Sequence, residues 1–121
     1  GLIFAYGPKM LSSAIEASAS IKEKVNKDVG VINLPWLNFI DEDWLTQTIG
    51  NTKKLFSIDN HYRIGGQGDR LASIIVKKPI DGVSLTTIAL DEIPSCGTNE
   101  EILINHNLDT ESIISRIITN L

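Results

Sequence analysis

Between two apolar runs, the stretch from Asp59 to Arg70 reads DNHYRIGGQGDR, with one histidine, two arginines, two aspartates and three glycines. A histidine near a carboxylate can work as a general base, here His61 with Asp59. Gly65, Gly66 and Gly68 let the backbone take positive φ and approach a ligand closely. Free N–H groups at the start of a following helix could hold an anion, with Arg63 and Arg70 adding charge. Several features oppose that chemistry. GGQGDR is not the G-x-G-x-x-G fingerprint, and no GxxxxGK[ST] loop occurs. Asp69 at the helix start repels phosphate and can itself occupy the free N–H groups. No G-x-S-x-G elbow supplies a nucleophile, and Ser57 lies inside a strand. The stretch therefore reads in two ways: as a small-anion cradle, or as a glycine-rich helix entry that meets another surface. Asp59, His61, Arg63, Gly65, Gly66 and Gly68 are the candidate residues for either role, and no catalytic residue is assigned.

Elsewhere the signals for chemistry are weaker. Cys96 and His106 stand alone, without the spacing of a metal site, so no metal ligand is assigned. Nothing basic adjoins Cys96, so its thiol reads as inert. Asp41, Glu42 and Asp43 are adjacent on the chain and do not converge on one helix face; they read as a helix cap. Trp36 and Trp44 flank an apolar connection and suit either a core edge or a partner surface.

The elements that position these residues follow from periodicity. LIFAY is a short buried strand ended by Gly7-Pro8, and Pro8 suits the first turn of a helix. Leu11, Ala14, Ile15, Ile21 and Val25 mark the inner stripe of that helix, which runs to about Asn26, with Ser18 at a close contact. Val29–Leu34 is a second strand stopped by Pro35. Asp41 caps a short helix carrying Trp44, Leu45, Thr48 and Ile49 and ending at Gly50. Lys54–Asp59 is a third strand. After the glycine-rich stretch, Leu71, Ile74 and Ile75 face inward on a helix reaching Lys77. Ser84–Leu90 is a fourth strand. Thr98-x-x-Glu101 is a capping box for a short helix through Ile104. Ile113, Ile114, Ile117, Ile118 and Leu121 form the stripe of a last helix from about Thr110.

Strands alternating with helices predict right-handed crossovers and a mainly parallel sheet covered on both faces. The expected architecture is one three-layer α/β/α domain over residues 1–121, its four strands in order 2-1-3-4. Ligands of such sheets sit beyond the carboxyl ends of the strands, where the winding reverses. That crevice falls between the first and third strands, walled by Tyr6-Gly7-Pro8 and Asp59-Asn60-His61. A net charge of −4 disfavours nucleic acid as a partner. No apolar run is long enough to span a bilayer. One cysteine and no N-glycosylation sequon fit a cytoplasmic setting. The chain opens at Gly1 directly into a strand and so reads as a fragment of something longer.

The order of these motifs resembles the C-terminal domain of transketolase and related thiamine-diphosphate enzymes over nearly the whole length. LIFAYGPKMLSSAIEA resembles that family's first strand, turn and alanine-rich helix. VGVINLPWLNFIDEDWL resembles its second strand and acid-capped helix. LFSIDNHYRIGGQGDRLASII resembles the stretch in which an acid, often with a histidine, precedes GG-x-G; Asp59 stands where glutamate is frequent. IPSCGTNEEILINHNLDTESII resembles its Gly-Thr segment and final turn, with Asn107 in place of the usual glycine. The same domain occurs in 1-deoxyxylulose-5-phosphate synthase and in 2-oxoacid dehydrogenase beta chains; DNHYRIGGQG favours transketolase.

The resemblance implies a non-catalytic accessory, dimer-forming domain of a homodimeric enzyme that transfers two-carbon ketol units between sugar phosphates. Thiamine diphosphate and its magnesium ion would be held by preceding domains or a separate subunit, and no cofactor by this one. It also implies an extra antiparallel edge strand, which cannot be placed before Leu2. Two other readings stay open. One is a regulatory domain binding a small anion or nucleotide beside Gly7, His61 and Gly66. The other is a docking domain of a dehydrogenase beta chain that binds an acyltransferase core.

Overall fold

A computed structural model describes residues 1–78 and 80–121. The element order is β1 (Leu2–Ala5), α1 (Pro8–Val25), β2 (Gly30–Asn33), α2 (Glu42–Ile49), β3 (Lys54–Tyr62), α3 (Gln67–Lys77), β4 (Ser84–Leu90), α4 (Asn99–Asn105) and α5 (Thr110–Asn120). The strands form one sheet in the order β2-β1-β3-β4, and every neighbouring pair is parallel. The α/β class and the expected strand order are both observed.

Strand alternation divides the core into two layers. Ile3, Ala5, Phe56, Ile58, Ile88 and Leu90 point to one face, where Met10, Ala14, Ala17 and Ile21 of α1 meet Ile113, Ile114 and Ile117 of α5. Phe4 and Leu55 point to the other, under Leu45 and Ile49 of α2 and Leu71 and Ile74 of α3. The right-handed rule accounts for this division. The chain winds one way from β1 to β2 and the other way from β2 through β3 to β4, so α1 lies on the opposite face from α2 and α3.

Three local features differ from the sequence reading. β2 is shorter than Val29–Leu34, spanning Gly30–Asn33, although Val29 and Leu34 remain buried at its ends. The buried stripe of α1 is rotated toward small residues. Met10, Ser13, Ala14, Ala17 and Ile21 are buried, whereas Ile15 is 57% exposed. Small side chains let α1 lie close to the sheet, and the Ser18 hydroxyl donates to the Val29 carbonyl at 2.6 Å. Finally, β3 runs on to Tyr62, three residues beyond Asp59 (62 − 59).

That extension has a cause in the ladder. Ile58 pairs with Ile88 and Tyr62 with Leu90, so β3 takes four steps where β4 takes two. The two surplus residues form a bulge, a device that bends a strand end and re-aims its side chains. The Arg63 N–H still donates to the Leu90 carbonyl at 2.9 Å, closing the irregular segment. Side-chain capping is seen at the starts of α2, α4 and α5. Asp41 accepts from the Trp44 N–H, Asp109 from the Ser112 N–H, and Thr98 with Glu101 makes a reciprocal box. Asn107 takes φ 55°, the left-handed turn expected of it.

Candidate functional site

The crevice between β1 and β3 holds a cavity of about 560 Å³ at the carboxyl edge of the sheet. Its walls include Tyr6, Asn38, His61, Gly65, Gln67 and Arg70. Alternation along two strands aims its polar floor. Residues 55, 57 and 59 of β3 share the face that carries α2 and α3, as do residues 4 and 6 at the end of β1. Tyr6 and Asp59 therefore meet beneath the entry to α3.

Asp59 is 1% exposed and organises this floor. Its Oδ1 accepts from the Tyr6 hydroxyl at 2.5 Å and from the His61 N–H at 2.9 Å. Its Oδ2 accepts from the Gln67 N–H at 3.2 Å. That last bond caps α3 from outside the helix, because the N-cap residue, Gly66, has no side chain to do so. Burial, reinforced by the bond to Asp59, holds the Tyr6 phenol well above its ordinary value. Tyr6 thus keeps its proton, and donates, well above neutral pH. Asp69, which the sequence placed on the helix N–H groups, instead accepts from the Gly65 N–H at 2.8 Å, one turn earlier.

The glycines serve distinct ends. Gly65 has φ 76°, and a Cβ there would meet nothing within 4 Å. A Cβ on Gly66 would lie 2.6 Å from the Tyr62 carbonyl and 3.0 Å from Asp59 Oδ2. Gly68 is buried beneath the helix, where a Cβ would lie 2.4 Å from the Thr87 hydroxyl. It sets how closely α3 packs on β4 and does not face the cavity.

Arg63 is turned away from the crevice. Its guanidinium grips Asp91 through Nε at 2.5 Å and Nη2 at 2.8 Å, and Nη1 donates to the Thr87 carbonyl. Hydrogen bonding to Asp91 raises the Arg63 pKa and depresses that of Asp91. Among the sequence candidates, then, His61, Gly65 and Gly66 line the cavity, Asp59 shapes its floor, and Arg63 and Gly68 bind elsewhere. Gln67 and Arg70 line it as well. The Gln67 Oε1 accepts from the buried Ser57 hydroxyl at 3.2 Å. Gln67 and Arg70, three apart on α3, are neighbours on one helix face, and the sequence reading named only Arg70.

A second feature flanks the crevice on the β2 side. Trp36, Phe39 and Trp44 are 71%, 66% and 41% exposed and border an apolar hollow with Leu34, Pro35 and Ile40. No described helix is long and apolar enough to cross a membrane.

The family model for the transketolase C-terminal domain matches residues 2–113. Rat transketolase is 24% identical over 102 residues, 84% of this chain and 16% of that protein. The 1-deoxy-D-xylulose-5-phosphate synthase of Clostridium tetani is 23% identical over 110 residues, 90% of this chain and 18% of that protein. The chain thus spans less than a fifth of either relative. A solved chain described as a split-gene transketolase in an inactive beta4 tetramer superposes with a TM-score of 0.87 at 19% identity, covering 99% of this chain and 38% of that one.

Proposed function

The chain belongs to the transketolase C-terminal domain family, and from that premise we propose that it is the accessory domain of a transketolase-like enzyme moving two-carbon ketol units between sugar phosphates. On this reading it is one domain of a longer, cytoplasmic, homodimeric enzyme. Its carboxyl edge packs on the domains or subunit that hold thiamine diphosphate and magnesium. The supporting observation is where most of the large exposed apolar side chains lie. Of the five described ones that are at least 66% exposed, Trp36, Phe39, Ile64 and Ile93 follow the carboxyl ends of β2, β3 and β4, while Val76 lies near the end of α3. Trp36 and Phe39, exposed beside one apolar hollow, are residues of the kind that suit a protein interface.

The residues present do not fit the cofactor's metal. Among the described residues no three His, Cys, Asp or Glu side chains converge, and Asp59 is already engaged by three protein donors. The reading therefore assigns thiamine diphosphate and its magnesium to the partner domains, and the chemistry with them. Within this chain, the described side chains position surfaces; none is assigned to a proton or group transfer.

The test pairs this chain with a polypeptide carrying the two thiamine-binding domains. Calorimetry should show no thiamine diphosphate binding by the chain alone, and association between the two polypeptides. Replacing Trp36→Ser together with Phe39→Ser should weaken that association by about tenfold or more. Micromolar cofactor binding by the isolated chain would overturn the reading, as would undiminished association of the double variant.

A further inference from the structure

Among the described residues, two buried N–H donors at the crevice have no partner. Gln67 is 2% exposed; the Ser57 hydroxyl holds its Oε1, but its Nε2 bonds to none of the described residues. The Nε of Arg70, on the same helix face, is likewise buried without an acceptor among them. Both residues line the cavity between β1 and β3. Buried donors in folded proteins are almost always paired, so two orphans in one cavity wall call for an acceptor that enters from outside.

The surroundings decide what kind of acceptor. The guanidinium of Arg70 offers only donors, and so does the Gln67 amide nitrogen. The neighbouring carboxylates are turned onto protein groups. Asp59 takes bonds from Tyr6, His61 and Gln67, and Asp69 takes one from Gly65. The positive end of the α3 dipole points the same way, and its N-cap Gly66 adds no side-chain acceptor. Space is available too, since nothing stands within 4 Å of a Cβ built on Gly65.

We infer that this crevice binds a small oxyanion, the carboxylate or phosphate group of a small molecule, on Gln67 Nε2 and the Arg70 guanidinium. The Tyr6 ring and Leu37 wall the body of the ligand. The inference concerns the isolated chain and stands whether or not the domain docks as proposed above.

Isotope-labelled chain titrated with inorganic phosphate, and separately with acetate, at constant ionic strength tests it. Saturable amide shifts are expected at Gly65, Gly66 and Gln67 and on the Gln67 side-chain NH2, with a millimolar-range Kd, on the order of 1–10 mM. The stronger of the two anions identifies the ligand group. Arg70→Gln should weaken binding by about tenfold. Gln67→Met, which keeps the length and removes the amide, should weaken it as well. If Arg70→Gln fails to fold, Arg70→Lys serves, because it keeps the charge and loses the planar fork; binding equal to the unmodified chain would count against the site. Lys9→Gln, outside the crevice, should leave binding unchanged. The inference fails if no saturable shift arises by about 50 mM of either anion, if the shifts spread over the surface lysines, or if Arg70→Gln binds as well as the unmodified chain.

Discussion

The crevice between β1 and β3 and the aromatic shelf beside β2 lie on the same edge of one sheet, yet they are built in opposite ways. In the crevice the side chains constrain one another. Tyr6, His61 and Gln67 all donate to Asp59, and Ser57 donates to Gln67. On the shelf, Trp36 and Phe39 stand mostly in water. The floor of the crevice is held by hydrogen bonds within the domain's own fold. The shelf exposes apolar area that this domain alone does not cover. Around Asp59 the buried polar groups satisfy one another, leaving the Gln67 amide nitrogen and the Arg70 Nε for an acceptor from outside, while an apolar surface can wait for its partner.

Substitutions can break that contrast, and the largest effect belongs in the crevice. Asp59→Ala leaves three donors unpaired and should cost about 3 kcal/mol, measured by denaturant unfolding. A cost equal to that of a shelf substitution would erase the distinction. Gly68→Ala drives a Cβ against the Thr87 side chain and should cost about 2 kcal/mol. Adding Thr87→Ala should return much of that loss, because the two positions share one contact. Tyr6→Phe removes one bond to a charged acceptor and should cost about 1 kcal/mol. Trp36→Ser should change stability by no more than about 0.5 kcal/mol, its effect falling on association instead.

Alkali sharpens the same comparison. The Tyr6 pKa is raised in the folded chain, so its stabilisation is full below the ordinary value of 10.0 and is lost as pH rises above it toward the folded value. Thermal melts of the intact chain should therefore fall above pH 10.0, and Tyr6→Phe should remove that component. Asp91 works in the other direction. Hydrogen bonding to Arg63 depresses its pKa, so its contribution is complete above the ordinary value of 3.8 and fades as pH drops below it. The pair is partly exposed, so the effect is small and screened by salt.

The layer architecture was legible because its signals are periodic. Ile113, Ile114 and Ile117 mark the buried face of α5, and apolar runs mark strands buried on both sides. The crevice could be located by topology, since a reversal of winding places it between β1 and β3. Its individual side chains were less legible. Arg63 and Arg70 are chemically alike and seven positions apart (70 − 63) in one stretch. Which of them faces the cavity depends on the bulge in β3 and on Asp91, and neither leaves a local signature. Gln67 was silent for a related reason, as its amide matters only because Ser57 and Asp59 lie beneath it. On α1, apolar periodicity favoured Ile15, but close packing against the sheet selected alanine and serine instead.

The surplus residues of β3 also bear on how this segment tolerates changes in length. Ile58 and Tyr62 are both anchored to β4, with Asp59, Asn60 and His61 strung between two fixed points. Deleting Asn60 or His61 reverses which side of the sheet the residues after it address. The entry to α3 would then shift relative to the Asp59 carboxylate that caps it, although that carboxylate itself is unchanged. Surface loops usually absorb insertions and deletions freely, but this one is metered residue by residue. A graft of the segment into a related domain should succeed only when its length is copied along with its letters.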